Sequence, residues 1–372
     1  MAGTTCPVCG RTGVPTETLE YPVFRHMDFH LFHAGPTALA SCPDCGAAFR
    51  VIDDGEIERI SVMYKGIDYA AQRERGHKVF VAGEIQPKSP HQLQADLLVP
   101  LLPDTKAAIL DIGCADAALL MEMAERTAVS DLCGFDVNPH HDRVASTSGR
   151  VRFISGDTVA TIEGVFDLII LSHSIQYIRD VAHLVRELRR LLKPAGAIFI
   201  QVPDFACKPA SLLYGDLYFH YTAANLRMLA KRHGFSGREL DNAYFSRDVL
   251  YLLQMSKGEP SAAGVEVDKP FHAAVASLRN TAENIRRLED KADFGVLGTT
   301  IEAAMTNSLL VDRLAFFVDE NPEKVGNTFL GKPVVHPRDV DPKFSVLLPY
   351  GDAAADILRR FDALYPGRYI AT

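Results

Sequence analysis

No unbroken run of about 18 apolar residues occurs in the 372-residue chain, so no membrane-spanning helix is expected. Basic residues are not in excess: 39 Lys and Arg stand against 47 Asp and Glu, a net charge of −8. Without surplus positive charge there is little to neutralise phosphates, which argues against a nucleic-acid partner. The N-terminus, MAGTTCPVCG, does not read as a signal peptide. Nor do the cysteines form an even set. There are seven, four of them in two C-x-x-C pairs, which fits a reducing cytoplasm better than a disulfide scaffold. What the chain does have is apolar material, 47% of its residues, enough for the cores of two or three domains.

Residues 1–60 form the first unit. Cys6-Pro-Val-Cys9-Gly10 and Cys42-Pro-Asp-Cys45-Gly46 are two knuckles of the same pattern. Thiolates two residues apart on a tight turn point at one metal, and the glycine relieves the turn. Cys6, Cys9, Cys42 and Cys45 together close a tetrahedral Zn²⁺ site with no open position, so its role is structural. His26, His30 and His33 lie between the knuckles and read as part of an amphipathic stretch, because the cysteines already fill the coordination sphere.

Residues 61–105 read as a helical lead-in. Tyr64 and Tyr69 lie here, either packed or reaching a neighbouring active site, and the apolar helix QLQADLLVPLL stops at Pro103-Asp104. The stretch that organises the chain follows, AAILDIGCAD at 107–116. An apolar strand runs into Asp111, Gly113 and small residues, then into an apolar helix. That arrangement brings backbone N–H groups close to a ligand. A second strand, LCGFD, ends in Asp136, and an acidic side chain there accepts hydrogen bonds from both hydroxyls of a ribose. The expectation is an adenosine-containing cofactor across the tips of parallel strands.

Over 106–256 strand and helix alternate, with strands expected at 107–111, 132–136, 151–155, 166–171 and 196–202, and two antiparallel ones near 239–245 and 249–255. The third strand leads to Gly156-Asp157 and the fourth to Ser172 and His173. Residues 257–269 form a Gly/Ser/Pro/Glu linker. A smaller Rossmann-like α/β unit then fills 270–372, with a helix at 270–291 and a phosphate cradle of its own at Gly298–Thr300.

Five segments in this order, DIGCAD, FDVNP, SGDT, FDLIILSHSIQYI and LLKPAGAIFIQVPD, resemble the Rossmann-like class I S-adenosylmethionine-dependent methyltransferases over about 150 residues. The resemblance implies that Asp111, Gly113 and Cys114 lie at the amino-acid part of the cofactor. It places Asp136 on the ribose, Asp157 on the adenine, and Ser172 and His173 beside the sulfonium. The family's glycine-rich turn is D/E-x-G-x-G-x-G. Here Ala115 and Ala117 replace two glycines, and alanine suits the turn where φ stays negative. Gln176 stands where the family commonly has glutamate.

The three-part order, Cys₄ module, methyltransferase domain and Rossmann-like C-terminal domain, resembles the C-methyltransferases of nucleotide-linked deoxysugars. The C-terminal stretch carries that likeness through Asp319, Asn321, Pro322, Lys324, Gly326, Gly331 and Pro333. Phe219 replaces the glutamate of that family's Glu-His pair, and no lysine follows Gly298. The implied activity is methyl transfer to a carbon, nitrogen or oxygen of a small polar metabolite linked to a nucleotide or carrier. His220 with Tyr64, Tyr69 and Tyr218 is the candidate catalytic group. His220 acts there as a general base titrating near neutrality, or braces the helix that Thr222 caps. The alternative is a zinc-containing scaffold with a degenerate cofactor site.

Overall fold

The computed structural model describes residues 3–67, 79–81, 84–103, 106–127, 131–139, 149–241, 244–256, 268–288 and 293–372. The chain divides into two compact units. One comprises Met1–Thr16, Ala40–Cys207 and Tyr218–Asp268; the other comprises Glu17–Leu39, Lys208–Leu217 and Lys269–Thr372. No helix among the described residues is long and apolar enough to cross a membrane.

The first unit is built on a seven-stranded sheet. In chain order its strands are Ala108–Ile112, Asp131–Asp136, Val151–Ser155, Phe166–Ser172, Leu192–Pro203, Phe235–Glu239 and Asp248–Met255. Counted in that order they lie 3-2-1-4-5-7-6 across the sheet. The first five are parallel; the seventh runs antiparallel to the fifth and carries the sixth at the edge. The order reverses between strands 1 and 4, and α/β proteins bind ligands beyond the carboxyl ends of the strands at such a switch point.

The central strands 1, 4 and 5 are mostly apolar because both faces are covered, whereas the edge strands 3 and 6 are more polar and exposed. Ile109, Leu168, Ile170 and Phe199 enter one core, while Leu110, Ile169, Leu171 and Ile200 enter the other. The helix Val181–Leu191 shows the matching pattern with a period of 3.6. It buries Val181, Leu184, Val185, Leu188 and Leu191, is capped by Asp180, and ends with Arg189 and Arg190.

Two expectations change. The sixth strand, expected at 239–245, is Phe235–Glu239. The helix before it ends at Arg232, Gly234 turns the chain at φ +76°, and pairing begins at once. Gly237 allows this early pairing, since a Cβ there would meet the Tyr251 ring at 2.4 Å. The lead-in is also not wholly helical. Helices Asp54–Lys65 and Pro90–Leu98 flank an antiparallel pair, Phe80–Val81 with Glu84–Ile85, where aromatic and β-branched residues favour strand. The expected linker lies almost wholly outside the described residues.

The second unit contains a six-stranded sheet. Its strands are Phe294–Leu297, Leu314–Val318, Thr328–Phe329, Lys332–Val335, Ser345–Leu348 and Arg368–Ala371, lying in the order 3-4-2-1-5-6. All neighbours are parallel except the short pair Thr328–Phe329 with Lys332–Val335. Residues 17–39 and 208–217 pack into this unit, with the His26 N–H donating to Asp216 at 2.9 Å and the His26 ring 4.4 Å from that of Tyr214.

Candidate cofactor and acceptor site

The turn after the first strand is shaped by backbone. Gly113, at φ +79°, and Cys114 both donate N–H to the Phe135 carbonyl, at 2.7 and 3.1 Å. A Cβ on Gly113 would lie 2.5 Å from the Ser174 Cβ, so only glycine lets the turn after strand 4 approach. Alanine suits this turn without strain only where φ is negative. Ala115 and Ala117 instead sit at +48° and +61°, the left-handed conformation that glycines at these places would take freely. Each alanine carries roughly 1 kcal/mol of strain. Ala115→Gly and Ala117→Gly together should therefore raise the melting temperature by a few degrees, roughly 1–2 kcal/mol, in a thermal melt. Unchanged or lowered stability would contradict the strain.

Asp136 closes the turn. One carboxylate oxygen accepts the Ala115 N–H and the other the Asn138 N–H, each at 2.9 Å. Asp111 lies buried beneath, and burial, followed by the charge of Asp136, pushes its carboxyl up to about 8. Cys114 turns its sulfur towards Gly134, where a Cβ would come within 2.7 Å. Burial holds its thiol well above the ordinary range. Asp157 stands exposed at the tip of strand 3, paired with Lys65 at 2.7 Å.

Ser172 and His173 enter a polar chain that sequence reasoning missed. Gln94 donates to Ser172 Oγ at 2.8 Å and to Gln201 at 2.7 Å; Gln201 donates to Asp248 at 2.7 Å. His173 Nε2 lies 3.3 Å from the same Asp248 carboxylate, and its backbone is held at φ +52°. Gln201 sits singly within an apolar run and Gln94 within the mixed stretch HQLQADLL, and neither gives a local signal. Asn138, fully buried, was also missed, although it stands two residues after Asp136. Its amide donates to the carbonyls of Ile67 and Tyr64 at 2.7 and 3.3 Å, which ties the end of the tyrosine-bearing helix to the Asp136 end of strand 2.

The candidate acceptor residues flank the 3₁₀ turn Ile175–Tyr177. The Tyr64 ring lies 4.6 Å from that of Tyr177, and the Tyr218 N–H donates to the Gln176 carbonyl at 3.0 Å. Tyr69 lies outside the described residues. His220 departs from expectation. It is a buried strand residue, paired through Phe219–His220 with Ala48–Phe49. Burial, and then the Arg50 charge, push its imidazole down to about 3 instead of leaving it near neutrality. Among the described residues, His220 Nε2, Tyr221 Oη, Ser174 Oγ and both amide atoms of Gln176 are buried without hydrogen-bond partners.

Cys6, Cys9, Cys42 and Cys45 bring their four sulfurs within 4.8 Å of one another. The Cys6–Cys45 and Cys9–Cys42 separations, 3.4 and 3.6 Å, are far too long for disulfides and suit the edges of a tetrahedron with metal–sulfur bonds of about 2.3 Å. Both knuckles turn alike. Gly10 donates to the Cys6 carbonyl and Gly46 to that of Cys42, at 3.0 and 2.8 Å, and both glycines have positive φ.

Residues 86–240 match the family model described as a methyltransferase domain. That span holds the turn, Asp136 and the reversed strand order. It is a class I S-adenosylmethionine-dependent methyltransferase domain. Relatives include the trans-aconitate 2-methyltransferase of Enterobacter sp. (strain 638), 29% identical over 34% of this chain and 50% of that protein. The malonyl-[acyl-carrier protein] O-methyltransferase of Geobacter sulfurreducens is 24% identical over 48% of this chain and 66% of its own length. The match thus spans about half to two thirds of these relatives. Among solved structures, the plantazolicin methyltransferase BpumL, in complex with a desmethylPZN analog and SAH, aligns at 13% identity and a TM-score of 0.41, covering 55% of this chain and all of that one.

The domain's residues fit its cofactor. Gly113 lets the turn after strand 1 pack closely against Ser174, and Asp136 ends the second strand with its carboxylate anchored on the Ala115 and Asn138 N–H groups.

Proposed function

We propose that this protein transfers a methyl group from S-adenosylmethionine to a small polar metabolite. The carrying observation is Asp136 at the tip of strand 2, hydrogen-bonded to the turn that follows strand 1. In this reading Asp136 accepts the ribose hydroxyls, Gly113 and Asp111 border the amino-acid part, Asp157 borders the adenine, and Ser172 and His173 border the sulfonium. When bound, the cofactor supplies an electrophilic methyl for in-line attack. The chain's residues orient the acceptor, exclude water and take up its proton.

The acceptor side is Tyr64, Tyr218 and His220, with Tyr69 proposed from sequence alone. The orphaned atoms of Ser174, Gln176 and His220 favour an acceptor that both donates and accepts hydrogen bonds. Relatives named as O-methyltransferases support an oxygen acceptor. The C-terminal motif supports a nucleotide-linked, sugar-like acceptor methylated at carbon. There Lys324 reaches Thr299 Oγ1 at 2.7 Å and Asp319 at 3.4 Å, joining the motif to the strand–turn–helix that opens this unit. Residues 1–60 are proposed as a structural zinc module and 270–372 as a Rossmann-like domain, in a cytoplasmic protein.

His220→Gln tests the acceptor assignment. S-adenosylhomocysteine affinity should be unchanged by calorimetry, while methyl transfer to a cognate acceptor falls by about tenfold or more through lost hydrogen bonding and orientation of the acceptor. Equal turnover would remove His220 from the reaction. The histidine also predicts a pH effect. Between its ordinary value of 6.5 and about 3, the unfolded chain binds a proton here that the folded chain does not. Stability contributed by this site is therefore lost as pH falls through that window. Melts from pH 7 to 4 should show a smaller acid-side loss for His220→Gln than for wild type.

A further inference from the structure

We propose that the second cysteine knuckle, held by its metal, positions the acceptor side of the site, and that Asn225 is the positioning residue that joins the two. The Gly46 carbonyl, one residue beyond Cys45, accepts the side-chain N–H of Asn225. The Asn225 carbonyl oxygen in turn accepts the Thr222 N–H at 2.8 Å and the Thr222 hydroxyl at 2.7 Å. Thr222 comes directly after His220 and Tyr221. Just past the knuckle, Ala48 pairs with His220 and Phe49 with Phe219, and the Arg50 N–H donates to the Tyr218 carbonyl at 3.1 Å. Residues 46–50 therefore hold 218–222 at successive points. The Tyr218 N–H then reaches the Gln176 carbonyl, and Ser174 lies against Gly113.

The two halves of the site are thus fixed by different parts of the fold. Asp136 and Gly113 are set by the parallel strands of the sheet. Tyr218 and His220 are set by the knuckle, whose Gly46 carbonyl direction follows from a turn at φ +69° closed by Cys42 and Cys45. A metal bound by the four thiolates locks that turn. The four cysteines therefore do more than staple the N-terminus: they set the register of the acceptor loop without touching the cofactor.

The proposal rests on the reading that Tyr218 and His220 face the acceptor. Its test reads the brace directly. Asn225→Asp keeps the oxygen that caps the helix through Thr222 but removes the N–H donated to Gly46. Amide hydrogen exchange is followed in peptides covering 216–223 and, as a reference, 108–112, with zinc content and S-adenosylhomocysteine affinity measured in parallel. Exchange at 218–222 should quicken about tenfold, the equivalent of one hydrogen bond, while zinc content, cofactor affinity and the reference strand stay unchanged. EDTA on wild type should quicken 218–222 by at least as much and by more than it quickens 108–112, because metal loss also loosens the shared core. Asn225→Ala, which also removes the cap, should extend the change into helix Ala223–Arg232. Unchanged exchange at 218–222 in Asn225→Asp or after chelation overturns the proposal, as does a quickening shared equally by 108–112. Failure of the functional reading shows separately, as absent cofactor binding or as full turnover in His220→Gln.

Discussion

Asp136→Ala should weaken S-adenosylhomocysteine binding by about 100-fold or more, measured by isothermal titration calorimetry. Hydrogen bonds to a charged acceptor contribute about 1.5–3 kcal/mol each, and in the proposed reading this carboxylate accepts both ribose hydroxyls. It also fixes the turn through Ala115 and Asn138, so its removal loosens the remaining contacts. Asp136→Asn separates the two effects. An amide keeps one acceptor oxygen but places an N–H₂ against a backbone N–H, so it should lose most of the affinity as well. Asp157→Ala, at an exposed carboxylate paired only with Lys65 among the described residues, should cost far less. Equal affinity in wild type and Asp136→Ala would move the cofactor away from this crevice.

The second large effect is expected from the metal. Cys6, Cys42 and Cys45 belong to the apolar cluster that also contains Leu110, Ile169, Leu184 and Phe219. The sulfurs therefore sit in the shared core of the first unit. With no cation among them, the four sulfurs are either protonated within 4.8 Å of one another or charged and mutually repelling. Isolated zinc-finger peptides gain roughly 10–16 kcal/mol from metal, most of it folding free energy. Here the larger core retains part of the fold, and Cys42→Ser should lower the melting temperature by roughly 10 °C or more. The purified wild type should contain one zinc per chain by elemental analysis, and Cys42→Ser much less. A metal-free wild type with the same melting temperature as Cys42→Ser would remove the metal from the account.

The cofactor side was legible in the sequence because its determinants are local. A strand, a small-residue turn and a terminal aspartate recur within a few dozen residues, and Asp111, Gly113 and Asp136 fall on the elements expected of them. Likewise the paired knuckles announce a four-sulfur cluster, and the four sulfurs do converge. What sequence could not give was long-range. Ser172, Gln201 and Asp248 come together only because strands 4, 5 and 7 lie side by side, and Gln94 joins them from the helix Pro90–Leu98. His220 reads as a loop histidine until Ala48 pairs with it; the same contact buries it and lowers its basicity. The sign of φ at Ala115 and Ala117 was also invisible. Alanine there suggested a relaxed turn or a degenerate one, whereas the turn keeps its left-handed shape despite both side chains.

That retained shape sets the active reading against the scaffold reading, and cofactor binding decides between them. The measurement to make is the melting temperature of the wild type with and without S-adenosylhomocysteine at about 100 times its dissociation constant. Binding there stabilises the native state by about 2.7 kcal/mol, which for a domain of this size raises the melting temperature by roughly 5–10 °C. The account predicts that rise, and its loss in Asp136→Ala. No shift in wild type up to millimolar ligand would contradict it, and would leave a zinc-containing scaffold whose cofactor crevice no longer binds.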